Sequence, residues 1–148
     1  MNLEKAEELA RAAHDNQVRR DGTPYIRHPE RIVDQIEKIF SVDSILFSDV
    51  NVDHLIQAAW LHDSMEDSWV NEKTLKNHKF HKDVIDAVVA LTHDRKLHKS
   101  YMEYIEGVAQ NKIARIVKIF DIVDNLSGDP STRQIEKYSL AMLRLNKG

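Results

Sequence analysis

Ala58-Ala59-Trp60-Leu61-His62-Asp63-Ser64-Met65-Glu66-Asp67 decides how this chain is read. An apolar helical run ends in three acids, Asp63, Glu66 and Asp67. The C-terminal end of a helix carries partial negative charge and favours cations, not carboxylates. Asp63 and Asp67 stand four residues apart, so their like charges face each other on a helix. Each effect costs from tenths of a kcal/mol to about 1 kcal/mol. No gain within the helix offsets them, and local conflicts of this kind concentrate at functional sites. A divalent cation would reverse the local electrostatics. On a continuous helix His62 and Glu66 share one face and Asp63 and Asp67 the adjacent one. His62 and Asp63 then reach a metal together, with Glu66 and Asp67 one turn further on. The plainer alternative is a solvated acidic helix end.

Working outward, the apolar residues recur at three- and four-residue steps. Ala6, Leu9, Ala10 and Ala13 mark a first helix, and Asp21–Tyr25 reads as a turn. Pro29 opens a second helix facing inward through Ile32, Val33, Ile36 and Phe40. A loop around 41–51 follows, then a helix capped by Asp53 and bearing Leu55, Ile56, Ala59 and Trp60. Asn71 caps a short helix ending near His78. Val84, Ile85, Val88 and Leu91 give another, Tyr104, Ile105 and Val108 one after Ser100, and Ile113 to Val123 a further one. Ser131 with Gln134 has capping-box spacing, Asp129 before Pro130 being an equal alternative, for a last helix through Tyr138, Met142 and Leu145. The expectation is an all-α, single-domain bundle of about eight helices over 1–148.

Composition narrows the function. The chain has 148 residues, 42% of them hydrophobic, and a net charge of −3. That balance argues against non-specific nucleic-acid binding, which needs a basic face to displace counterions. It leaves room for a small basic pocket. With no cysteine, thiolate metal sites and cysteine nucleophiles are excluded, so a metal must be held by His, Asp, Glu or backbone oxygen. The charged N-terminal residues lack an apolar signal core and no run approaches a membrane span. The expected location is the cytoplasm, with no membrane partner; a homo-oligomer is compatible with the sequence.

Two further segments bear on the acidic stretch. Arg19-Arg20-Asp21-Gly22-Thr23-Pro24-Tyr25-Ile26-Arg27-His28-Pro29 puts His28 before a proline, an extended position at a helix edge that fixes its backbone. In 114–125, Asp121 interrupts a strongly apolar helix, and Lys118, Asp121, Asp124 and Asn125 share one side. A buried Asp121 needs a partner or a metal. Lys118 can simply pair with Asp121 or Asp124.

The order His28 … His62-Asp63 … Asp121 resembles the metal-binding signature of the HD superfamily of metal-dependent phosphohydrolases. It is most similar to the hydrolase domain of RelA/SpoT-type proteins and their stand-alone relatives. Four segments carry the likeness: Ala13–Gln17, Asp21–Pro29, Ala58–Asp67, and Val117–Asp121 followed by Asn125. The resemblance implies an HD-type bundle in which His28, His62, Asp63 and Asp121 ligate a divalent metal, generally Mn²⁺. It implies that Glu66 and Asp67 activate and orient the attacking water, and that Arg19, Arg20 and Asn125 meet a nucleotide. Arg27 lies on the same basic loop and is read with them. Two imidazoles and two carboxylates independently suit Mn, Fe, Co or Zn better than Mg or Ca. The expected activity is hydrolysis of a phosphorylated nucleotide, (p)ppGpp at its 3′-pyrophosphate above all. A nucleotidase or other HD phosphohydrolase, or a metal- or nucleotide-binding module without turnover, are the alternatives. The chain departs from the family at Asp124, where His or Tyr is usual, and at Gly128, where a small hydroxyl residue is usual; both bear on the substrate. His14, His54, His78, His81, His93 and His98 show no ligand spacing that competes with the four-part set. Trp60 is expected in the core, and Trp69 over the acidic stretch or at a subunit interface.

Overall fold

The computed structural model describes residues 2–147; Met1 and Gly148, the ends of the expected domain, lie outside the described residues. The helices are α1 (Asn2–Ala13), α2 (Arg27–Val42), α3 (Val52–Leu61), α4 (Ser64–Asp67), α5 (Glu72–Asn77), α6 (Lys82–Leu91), α7 (Tyr101–Ala109), α8 (Lys112–Leu126) and α9 (Thr132–Leu145). A 3₁₀ turn at Ser44–Phe47 occupies part of the expected 41–51 loop. Among the described residues there is no strand, only an isolated bridge between Val18 and Pro24. The all-α expectation therefore holds; the surplus over eight helices comes from the single turn of α4.

Helix α3 is the centre. Every residue from Leu55 to Leu61 is buried, as expected of a helix apolar on all sides. It packs against α1, α2, α6 and α8. The core joins Ala6, Leu9 and Ala10 of α1 to Ile32 and Ile36 of α2, Val84 and Val88 of α6, Val117 and Ile122 of α8, and Leu145 of α9. Each large aliphatic side chain buried in this way stabilises the fold by about 1.5–3 kcal/mol.

Capping follows the sequence closely. Asn71 and Ser131 each form a capping box, with Thr74 and Gln134, and Ser100 caps α7. Asp129 is not the cap of α9. Asp53 is not the cap of α3 either: Asn51 accepts from the His54 N–H, leaving Asp53 in the first turn. A carboxylate there still gains from the helix dipole.

Two local differences shape the site. His28 is helical, not extended, because α2 begins at Arg27. Amides in a first helical turn have no intrahelical partner, so Pro29 fits there without losing a bond. The chain enters through turn-type bonds from the Arg27 and His28 N–H groups to Pro24 and Tyr25 carbonyls, 3.2 and 3.0 Å. The 58–67 stretch is likewise not one helix. It breaks at His62 and Asp63, where Asp63 has φ −104° and ψ 0°. The Ser64 hydroxyl donates to the Leu61 carbonyl (2.7 Å) and starts α4. The acids therefore do not continue α3: Asp63, Glu66 and Asp67 share the one turn of α4, whose Asp67 N–H donates to the Asp63 carbonyl at 3.0 Å.

Candidate metal centre and its cavity

Four elements deliver four donors to one point. His28 comes from the first turn of α2, His62 from the cap of α3, Asp63 from the break after it, and Asp121 from mid-α8. One ligand atom from each lies within 4.8 Å of the others. His28, His62 and Asp121 are buried to 3% exposure or less. The Nε2 atoms of His28 and His62 approach to 3.3 Å. Asp121 Oδ1 lies 2.8 Å from His28 Nε2 and 3.4 Å from His62 Nε2, and Asp63 Oδ2 lies 3.0 Å from His62 Nε2.

The outer imidazole nitrogens are both committed. His62 Nδ1 donates to the Ala59 carbonyl, 2.8 Å. His28 Nδ1 donates to Asp124 Oδ2, 2.6 Å. With both Nδ1 atoms donating outward, each Nε2 faces the cluster and becomes the ligating nitrogen once its proton leaves, the arrangement of metal-ligating histidines. Asp124 is fixed in turn by Arg31, whose Nε and Nη2 donate to its two oxygens at 2.8 and 2.9 Å. The donor set and its polarity fit a divalent cation.

Without a cation, the surrounding carboxylates favour the protonated rings. Burial opposes charge on His28, but hydrogen bonds to Asp121 and Asp124 outweigh it and raise its pKa. Burial likewise opposes charge on His62, and Asp63 and Asp121 carry it well above the ordinary value. Asp121 is held well below the carboxylate range, despite its burial, by Lys118 and the two histidines. Lys118 Nζ donates to Asp121 Oδ2 at 2.8 Å, so the pair expected from spacing forms, on the oxygen turned away from His28.

The cluster floors a cavity of about 550 Å³, within the usual range for small-molecule sites. Glu66 and Asp67 line it beside Asp63. Glu66 Oε1 accepts from the His93 backbone N–H, 2.7 Å. Burial pushes the Glu66 and Asp67 carboxyls up, and neighbouring Asp63 adds to both. Arg19 also lines the cavity and donates from Nη2 to Asn125 Oδ1, 3.0 Å. Asn125 donates from Nδ2 to Asp121 Oδ1, 3.2 Å. Arg20 and Arg27 do not line it: Arg20 is exposed at the turn tip, and Arg27 lies 3.9 Å from Glu30 one turn along α2.

Several cavity residues were not singled out as a site in the sequence. The Tyr25 hydroxyl donates to Asp63 Oδ2, a contact that only its place three residues before His28 could have suggested. His93, His98, Arg95 and Lys99 from the α6–α7 connection, and Lys137 and Tyr138 from α9, form the far wall with Tyr101. Their charge-rich segment was visible, but not its side of the fold. Trp60 is buried as expected, whereas Trp69 is exposed. Among the described residues, no helix is long and apolar enough to cross a membrane.

No family model matches the chain. A guanosine-3′,5′-bis(diphosphate) 3′-pyrophosphohydrolase of Aquifex aeolicus (strain VF5) is 27% identical over 131 residues, covering 84% of this chain and 17% of that protein. The chain thus matches less than a fifth of that relative's length. A solved structure described as a metazoan ortholog of SpoT that hydrolyzes ppGpp and plays a role in starvation responses superposes with a TM-score of 0.75. It is 24% identical, covering 97% of this chain and 85% of that one. The fold is similar to that of this solved structure, and the donor set is of the HD type. In sequence and in fold the chain is RelA/SpoT-hydrolase-like.

Proposed function

We propose that this chain is a divalent-metal-dependent phosphohydrolase that removes the 3′-pyrophosphate of a guanosine 3′,5′-bis(diphosphate)-type nucleotide. The observation that carries the reading is the convergence of His28, His62, Asp63 and Asp121, with His28, Asp63, Asp121, Glu66 and Asp67 lining one cavity. The names of the two relatives point to the same substrate. Two imidazoles and two carboxylates suit Mn, Fe, Co or Zn, and the family resemblance selects Mn²⁺ among them. When bound, the cation supplies Lewis acidity toward a phosphoryl oxygen and toward the attacking water.

The chain's own residues supply the rest. Glu66, with its carboxyl raised by burial and anchored by the His93 N–H, accepts the proton of the attacking water. A base whose pKa moves toward neutrality balances availability against proton affinity. Asp67 orients that water from the next position. Arg19 and Asn125, already hydrogen-bonded to each other, hold the 3′-phosphate against the floor. The cationic and aromatic far wall receives the 5′-phosphates and the base, through charge-assisted bonds and stacking. Arg20 and Arg27 remain at the surface in this reading. Such a substrate belongs to the cytoplasm, and the whole chain acts as one catalytic domain.

Purified protein with Mn²⁺ should release pyrophosphate from guanosine 3′,5′-bis(diphosphate). A panel of 3′-phosphorylated nucleotides and simple 5′-nucleotides separates this substrate from a general nucleotidase. No release from any of them by a protein with a full metal complement refutes the hydrolase reading.

A further inference from the structure

A second set of donors meets where the start of α3 lies against the start of α6. His54 stands in the first turn of α3, His81 caps α6, and Asp83 lies in the first turn of α6. The two imidazoles stack with centroids 4.3 Å apart and planes at 26°. Asp83 Oδ2 lies 3.9 Å from His54 Nδ1 and 3.7 Å from His81 Nδ1. Both separations are too long for a hydrogen bond. One ligand atom from each of the three residues lies within 4.8 Å of the others. His54 Nδ1 is shielded from solvent and has no hydrogen-bond partner among the described residues. A buried imidazole nitrogen left in this way is costly unless something binds it.

We propose that His54, His81 and Asp83 form a second cation site, independent of the four-donor centre. It takes a borderline divalent cation, zinc above all. Two imidazoles and one carboxylate are a donor set for zinc and its neighbours and a poor one for Mg²⁺ or Ca²⁺. Zinc bonds of about 2.0–2.2 Å in a tetrahedron put ligand atoms roughly 3.3 Å apart. Closing the Asp83 separations of 3.7 and 3.9 Å to that distance needs a shift of about half an ångström, with His81 Nδ1 exchanging the Asp83 N–H for the cation. Asp83 and His81 have side chains 61% and 54% exposed, so they are free to make that adjustment, while His54, at 18%, stays as the fixed ligand. Three protein donors leave the fourth position to solvent. The cation ties α3 to α6 at the end of α3 remote in sequence from His62. It does not rest on the phosphohydrolase reading.

His81 has a competing duty, since its Nδ1 accepts from the Asp83 N–H at 3.0 Å and caps α6. His81→Asn separates the two roles: the amide oxygen keeps a cap acceptor and the imidazole is lost. Zinc is titrated into the whole chain against a chromophoric chelator. The parent should bind two zinc ions. His81→Asn and Asp83→Asn should each weaken the second by at least about tenfold, comparable to the loss seen when metal sites lose supporting groups. Asp121→Asn should weaken the other ion and leave this one. Zinc should raise the melting temperature of Asp121→Asn but not of Asp121→Asn/His81→Asn. A parent that binds a single zinc overturns the proposal, as does a second zinc held equally well by His81→Asn and Asp83→Asn.

Discussion

Asp124→Asn is the sharpest test of how the metal centre is held. Asp124 has a side chain 1% exposed. Its Oδ2 accepts from His28 Nδ1 and Arg31 Nη2, and its Oδ1 from Arg31 Nε. The asparagine can keep one oxygen, and the less costly choice is to leave it on His28. The new NH₂ then faces Arg31 Nε, donor against donor. Arg31 is 47% exposed and can swing into water, so its loss is screened to about 1 kcal/mol or less. The His28 contact falls from a bond to a charged acceptor, about 1.5–3 kcal/mol, to a neutral one, about 0.5–1.5 kcal/mol. Those costs fall on the fold; losing the group that orients a metal-ligating histidine should weaken Mn²⁺ binding by roughly 10- to 100-fold. Electron paramagnetic resonance of free Mn²⁺ during a titration reads this directly, without turnover. At saturating Mn²⁺ most of kcat should return. The carboxyl of Asp124 is held below its ordinary range: burial opposes this, but His28 and Arg31 prevail. Its contribution to stability is therefore complete above the unfolded value near pH 4 and disappears as pH falls through the lower folded value. The stability gap between parent and Asp124→Asn should close over that acid window. Equal Mn²⁺ affinity in the two proteins would refute the claim that Asp124 orients His28.

Other expectations follow from the same geometry. Glu66→Gln and Asp67→Asn should each lower kcat by about 10²- to 10⁴-fold with Mn²⁺ content unchanged by elemental analysis; parallel loss of metal would make them ligands instead. Because the pKa values of His28 and His62 are raised, Mn²⁺ must displace protons near neutral pH. Calorimetry in buffers of different ionisation enthalpy should show about one proton released at pH 7 and less as pH rises through the raised values. Without metal, the same two groups stabilise the fold below about pH 6.5 and lose that contribution at higher pH. Lys118→Met removes the buried cation beside Asp121, costing the metal-free fold about 3–5 kcal/mol, so Mn²⁺ should raise its melting temperature more than it raises that of the parent. Gly22→Ala should cost about 1–2 kcal/mol in denaturant unfolding, because Gly22 has φ +84° while nothing lies within 4 Å of an added Cβ.

The helices were readable because apolar period and cap chemistry are local. Asn71 and Ser131 cap where their spacing placed them. Asn51 displaced Asp53 because either residue can cap, and only the packing depth of α3 decides between them. The helical state of His28 was hidden by Pro29, whose local bias opposes helix before it but which is tolerated inside a first turn. The break at His62-Asp63 was hidden because nothing in those residues forbids a continuous helix. The identity of the metal-centre residues came through the family likeness and the acidic conflict. The partners came from elsewhere: Asp124 is far in sequence from His28, and His54 from His81, so no spacing rule links them.

That break divides the duties of the acidic stretch. Asp63 and Asp67 stay one turn apart, the Asp67 N–H donating to the Asp63 carbonyl at 3.0 Å, and the carboxylates of Asp63, Glu66 and Asp67 converge within 4.8 Å. Ending α3 at Leu61 turns Asp63 toward His62, whose charge, against the opposition of burial, lowers its carboxyl below the ordinary range. Restarting at Ser64 sends Glu66 toward the His93 N–H on the α6–α7 connection. One carboxylate thus stays ionised beside the imidazoles while burial raises the others. Ligand and base duties need that division of carboxyl character, and it arises from a single turn of backbone.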